Sequence, residues 1–186
     1  AHIGVGVMLL GILYSAGYSK VVSLNASGLV YSKDFSTDMN KENVLLFYKQ
    51  PTQMGDFQLS YKGACLEAKG FSGYVPKSKL QPTADMYKQV AADTIKFQNK
   101  IYFKKGDTLE VSPENTYYEV EFINSSGKSF TLYPRAQVNP QMGLIASPDI
   151  LREWDSDLYT HVSSVPDPQE AKEWSEQQEQ KLSIGD

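Results

Sequence analysis

The side chains able to do chemistry are few: two histidines, one cysteine and scattered carboxylates. His2 stands at the head of an apolar run, and His161 sits in the alternating segment DLYTHVSS. An imidazole can ligate a metal or move a proton near neutral pH. Without a partner in the sequence, His2 reads as a helix-terminal histidine and His161 as a strand histidine. Cys65 lies within a strand pattern and, alone, can form neither an internal disulfide nor a cysteine metal cluster. It reads as a buried structural thiol, since nothing beside it supports redox work. Asp149, Glu153, Asp155 and Asp157 gather in an acidic loop, 149–157. Carboxylate oxygens suit a hard cation, yet the spacing of a calcium loop is missing, so this reads as a solvated loop with some capping by Asp149. Glu119 and Glu121 fall on the wet face of one strand. Serines abound, but no GxSxG elbow occurs. From residue types alone, no catalytic residue and no metal site emerges.

Composition narrows the class. Apolar residues make up 41% of 186, enough for a core, and the net charge is only −4. No block of Lys and Arg stands out, so the electrostatic footprint of nucleic-acid binding is missing. Twelve Tyr and eight Phe favour strands and interfaces.

The elements that would position these groups begin with an apolar run. Residues 1–19 carry no formal charge, and a helix of that length spans about 28 Å, near the thickness of a bilayer's hydrocarbon core. Gly4, Gly6 and Gly11 would each cost roughly 1 kcal/mol in a soluble helix but suit close helix approach in a membrane. A signal-peptide remnant and a soluble core helix are the competing readings; the basic leader of a signal peptide is lacking. From Lys20 onward the composition is that of an aqueous domain. Lys20–Asn25, Gly28–Ser32 and Val44–Tyr48 read as strands, Lys33–Asn43 as a loop, and Pro51–Asp56 as a turn. Phe57, Leu59 and Tyr61 alternate, Gly63 breaks the pattern as a bulge would, and Ala64, Leu66 and Ala68 resume it. Thr83–Asp93 reads as one or two helical turns. Ile95, Phe97, Ile101 and Phe103 mark a strand pair or one long strand around Gln98-Asn99-Lys100, Thr108–Val111 is a strand, and Tyr118–Phe122 turns at Asn124–Gly127 into Lys128–Tyr133. Eight to ten short strands predict a mainly β fold, a small antiparallel OB-like barrel or a sandwich. Asp167-Pro168-Gln169-Glu170 then starts an amphipathic helix of thin apolar side running to Leu182. The chain thus divides into a membrane-helix end (1–19), a β domain (20–165), and a C-terminal helix leading toward a further strand (166–186). It reads as an excerpt of a longer protein.

One stretch, Phe130 to Ser164, organises the rest. It opens as a strand, Pro134 stops the ladder, and a long segment of poor period follows, rich in Met142, Leu144, Ile145, Ile150, Leu151, Trp154, Leu158, Tyr159 and Val162. A loop so apolar is packed against something. Its LYP followed by a polar-aliphatic segment, an acidic residue and DLYxxxS resembles the periplasmic domain of CcmF-type cytochrome c assembly proteins, the heme lyase subunit. The opening AHIGVGVMLLGILYS resembles the membrane helix before that domain. This chain departs from the family in having LYPRAQ for a Pro-Glu-Lys-Arg pattern and in carrying only Trp154 and Trp174, not a Trp-rich loop.

The resemblance implies a domain facing the periplasm at the bacterial inner membrane, helping to attach heme to apocytochrome c beside other maturation subunits. It also implies that His2 ligates a b-type heme in the full-length protein, with the second axial ligand from another helix and no heme held by this fragment alone. The role of this piece is then structural and partner-binding, with contacts expected at Tyr133, Arg135, Met142, Trp154, Asp157 and Tyr159, since aromatics and Arg are typical anchors. The alternative is a secreted or membrane-anchored β binding module unrelated to heme. An enzyme acting alone finds no support.

Overall fold

A computed structural model describes residues 23, 25, 33, 35–139, 141–152 and 157–164. The apolar run 1–19 and the helix expected over 168–182 lie outside these residues, as do His2 and Trp154. Among the described residues, no helix is long and apolar enough to cross a membrane.

The fold is mainly β, built on a curled half-barrel sheet. Its spine is β8 (Thr108–Asn124), 17 residues long. Beside it runs β2 (Phe57–Ala68), which hairpins with β1 (Pro51–Met54) and pairs with β3 (Tyr74–Pro76). A short 3-10 turn leads to β4 (Leu80–Pro82), which pairs with β5 (Lys88–Ala91), and β5 joins the start of β8. β6 (Ile95–Phe97) and β7 (Lys100–Phe103) form a separate hairpin. Along the end of β8 lies β9 (Ser129–Leu132), then β10 (Arg135–Asn139), which hairpins with β11 (Gly143–Ser147). β12 (Asp149–Arg152) and β13 (Asp157–Thr160) make a two-stranded ribbon.

Two irregularities curl the sheet. Between Tyr61 and Gly63 the register of β2 against β8 shifts, and Gly63 takes φ +133°, a backbone few L-residues adopt. This is the bulge expected at that glycine. Further along, Leu66 faces Thr116 but Ala68 faces Val111, so β8 arches away over Ser112–Asn115. Pro113, which cannot donate to a ladder, sits in that arch. Bulges add twist and bend a sheet. The core accordingly falls into two clusters. Leu66, Ala68, Val75, Leu80, Ala91, Ile95, Leu109 and Val111 form one, with Phe71 and Phe103 against it. Met54, Leu59, Val120, Phe122 and Leu132 form the other, covered by Val44, Leu46, Phe57, Tyr61, Phe130, Leu151 and Leu158.

Several local expectations are corrected. Within Lys33–Asn43, α1 (Thr37–Glu42) forms, because Ser36 caps it by accepting from the Met39 N–H at 3.1 Å. Val44–Tyr48 forms no strand among the described residues; Tyr48 meets the sheet in a parallel bridge to Tyr61. Pro51–Met54 is a strand, leaving the turn to Gly55-Asp56. Thr83–Asp93 forms no helix; one hydrogen-bonded turn, Asp85–Lys88, leads into β5, whose Ala91 packs inward across from Leu80. Thr108–Val111 and Tyr118–Phe122 belong to the one strand β8. The long segment after Pro134 is not a loop: four strands, β10 to β13, occupy it. Its apolar residues sit in short hairpins, where a run of four or five shows little period.

Candidate functional site

Directly opposed residues of an antiparallel pair share a face of the sheet. One such rung crosses five strands: Pro76, Cys65, Tyr117, Arg135 and Ser147 on β3, β2, β8, β10 and β11. At about 4.8 Å per strand the rung spans roughly 19 Å. Glu67 and Tyr74, themselves opposed, lie beside it on the same face. This face points away from Leu66, Val75, Val120 and Phe122 of the core.

Three tyrosines stack upon it. Tyr74 lies 4.2 Å from Tyr117 and 4.7 Å from Tyr133, centroid to centroid, with rings tilted by 31° and 38°. Offset aromatic pairs of this kind add about 0.5–1.5 kcal/mol each beyond area burial. The Tyr117 hydroxyl donates to Glu67 Oε1 at 2.5 Å. Glu119 accepts from the Tyr133 hydroxyl at 3.5 Å and from the Cys65 thiol at 3.9 Å. Arg135 donates from Nη2 to Ser147 Oγ at 2.9 Å and from Nη1 to Asn115 Oδ1 at 3.4 Å. Among the described residues no carboxylate lies within ion-pair distance of Arg135, so neutral oxygens hold its guanidinium. Pro134 makes this arrangement. It ends β9, its buried carbonyl accepts the Tyr118 N–H at 3.0 Å, and Tyr133 and Arg135 emerge on either side of it.

Electrostatics keep the face protonated. Burial, then the Glu119 carboxylate, pushes the Cys65 thiol up to about 12. Burial and Glu119 push Tyr133 up to about 12, and burial and the bond to Glu67 do the same for Tyr117. Burial, Asp149 and Glu67 raise Tyr74, while Arg135 opposes them. At neutral pH the face therefore offers ring surfaces, phenol donors, carboxylate acceptors and one guanidinium. It presents no thiolate or phenolate nucleophile. Cys65 is buried, as a structural thiol should be.

Glu67 and Tyr74 continue into an open cleft of about 610 Å³, lined also by Phe71, Tyr87, Lys88 and Glu110. The exposed Lys69–Glu110 ion pair, at 2.7 Å, rims it. Among the described residues, no group of three His, Cys, Asp or Glu converges as a metal would need.

The expected contact residues separate. Tyr133 and Arg135 share the tyrosine face. Met142 lies at the tip of the β10–β11 hairpin, 75% exposed, some 13 Å along the strand from Arg135. Asp157 and Tyr159 project outward from β13, Tyr159 being 60% exposed, while Leu158 between them packs on the core. His161 is exposed, with Nε2 3.4 Å from Ser163 Oγ. Asp149, read as a capping residue of the acidic loop, accepts from the Tyr133 and Ile150 N–H groups at the start of β12. Tyr74, Tyr117, Glu67 and Glu119 escaped the sequence reading as site residues. The alternation of Tyr117 with Tyr118 marks a polar-aromatic face, but only the pairing with β3 brings Tyr74 to it.

No family model matches the chain, and neither does any curated protein or solved structure.

Proposed function

We propose that this chain contributes the periplasmic β domain of a CcmF-type cytochrome c assembly protein, tethered to the bacterial inner membrane by residues 1–19. In this reading the domain is a structural, partner-binding module that helps present apocytochrome c, or another maturation subunit, where heme is attached. The curled half-barrel is then the body of a small OB-like barrel or sandwich, with an apolar helix before it and an amphipathic helix after it. The sequence likeness of AHIGVGVMLLGILYS and of LYP…DLYxxxS motivates the assignment. The observation that carries the binding role is the preformed tyrosine face, with Arg135 held by neutral oxygens. His2 is the residue that would hold the b-type heme in the full-length protein, and no step is assigned to the heme in this domain.

The test is made in the full-length protein. Tyr133→Ala and Arg135→Ala should each lower the yield of holocytochrome c several-fold at normal protein level, with Arg135→Lys intermediate, because a lysine cannot reproduce the guanidinium fork. Unchanged yield in both alanine variants overturns the reading. A second reading, a membrane-anchored or secreted β binding module unrelated to heme, draws on the aromatic-walled cleft beside Glu67 and Tyr74. It predicts normal cytochrome maturation and a phenotype from Tyr87→Ala instead.

A further inference from the structure

The two core clusters are separated along β2. Between Leu59 of one and Leu66 of the other come Tyr61, Gly63 and Ala64, with Tyr118 of β8 across from Ala64. Gly63 has no side chain and Ala64 only a methyl group, so little fills the space at the bulge, and a recess of about 270 Å³ opens there. That is near the lower end for ligand pockets, roughly 300 Å³. Its walls are largely ring and aliphatic carbon. The Tyr48 ring lies edge-on to Tyr61 at 6.1 Å and within 3.4 Å of where a Cβ on Gly63 would stand, and Pro76 lines the recess as well. Tyr48 is 51% exposed, so ring surface is left over for an occupant.

The charges around this recess are of one sign. Lys62 and Lys77 line it, and among the described residues no carboxylate does. Lys49 adds a third cation, its Nζ 4.9 Å from the centroid of the Tyr48 ring. Lys62 is already offset by Glu121 at 2.8 Å. Lys77 is not. Its Nζ donates to the Thr116 hydroxyl at 3.2 Å, and no carboxylate among the described residues lies within ion-pair distance of it. Lys77 is exposed as a residue, yet burial is the leading influence on its ammonium and lowers its pKa, with Cys65 opposing. An ammonium has three protons to donate. One that has lost water and gained a single neutral oxygen is best satisfied by a carboxylate, whose charge-assisted bond is about twice as strong as a neutral one.

We propose that this recess binds a small organic monoacid, with its carboxylate on Lys77 Nζ and its ring or short chain against Tyr48 and Tyr61. An inorganic anion would leave the apolar walls unused, and a neutral ring would leave the ammonium unanswered. The site is independent of the heme reading, because it is built from residues 48–78 and Thr116 alone.

The test uses the full chain in nonionic detergent with three probes, benzoate, benzyl alcohol and acetate, followed through the backbone amide signals of Gly63, Ala64 and Ser78. Benzoate should shift these signals saturably at millimolar concentration and leave Ser126, in the distant β8–β9 turn, unmoved. It should bind about tenfold or more tighter than either benzyl alcohol or acetate. Lys77→Met keeps an apolar stem and removes the charge, and should bring benzoate down to the level of benzyl alcohol. In the parent chain the Lys77 Cε signal should move with benzoate and not with benzyl alcohol, a readout that stands even if Lys77→Met does not fold. The proposal is overturned by the absence of saturable shifts, by shifts that spread to Ser126, by benzoate binding no tighter than either control, or by undiminished benzoate binding in Lys77→Met. The holocytochrome yield of the Tyr133 and Arg135 variants tests the heme reading separately.

Discussion

The backbone N–H of Tyr133 donates to Asp149 Oδ2 at 2.7 Å, across sixteen residues of sequence. That bond ties the start of the β12–β13 ribbon to the kink after β9. The same carboxylate accepts from the Ile150 N–H through Oδ1 at 2.9 Å. It therefore sets the position of the tyrosine face as well as the ribbon that carries Asp157 and Tyr159.

Asp149→Ala should leave the half-buried Tyr133 N–H without its acceptor, at a cost of about 1–3 kcal/mol. Urea denaturation would read this as a lower midpoint with unchanged slope. Asp149→Asn keeps one acceptor oxygen and should recover a good part of the loss. If the tyrosine face binds a partner, Asp149→Ala in the full-length protein should also reduce holocytochrome yield, though Asp149 itself lies beneath the contact surface.

Stability should fall on the alkaline side. Cys65 is raised from an ordinary value near 9 to about 12, and Tyr61, Tyr117 and Tyr133 from 10 to about 12. Each group holds its proton more tightly folded than unfolded. Its contribution is complete below the unfolded value and is lost as pH climbs through the folded one. The urea midpoint should thus hold up to about pH 9 and decline from there toward 12. Tyr133→Phe combined with Cys65→Ala should flatten the decline; an unchanged slope would show that these groups are not its source.

Phe122 is nearly wholly buried, stacked on Phe130 at 5.1 Å and 7° and met edge-on by Phe57 at 6.1 Å. Phe122→Ala should cost about 3–5 kcal/mol. Phe47→Ala, on the outer side of the neighbouring segment, should stay within about 0.5 kcal/mol in detergent solution. Chemical denaturation of the two variants side by side measures the contrast.

Gly63 is a backbone requirement. At φ +133° any side chain is strained, and a Cβ would approach Tyr48 Cε2 at 3.4 Å. Gly63→Ala should destabilise by more than about 1 kcal/mol and disturb the Tyr48–Tyr61 ring pair. Near-ultraviolet circular dichroism, which reports tyrosine packing, should change together with the denaturation midpoint.

The sequence made the regular parts legible. Alternation of Phe57, Leu59 and Tyr61 marked β2, Asn124–Gly127 marked a hairpin turn, and an isolated glycine in a strand marked the bulge; at Gln98-Asn99 the pattern allowed a hairpin or one long strand, and the structure has the hairpin. Each signal is local: a side-chain period of two, or a turn needing positive φ, as at Gln98 (48°), Asn99 (62°) and Gly127 (82°). Where strands are short the period has no room to show, and the β10–β13 hairpins read as loop for that reason. Short Thr83–Asp93 likewise looked helical until burial opposite Leu80 decided otherwise.

From the residues alone came the mainly β class, the buried thiol and two members of the tyrosine face, Tyr133 and Arg135. Only the tertiary structure brought Tyr74, Glu67, Tyr117 and Glu119 to them. That face is assembled by register across five strands drawn from positions 65 to 147, and register depends on long-range pairing that no local period encodes. Likewise, only the packing showed that Val44 and Leu46 take the core side. An apolar run carries no sign of which of its two faces will be buried.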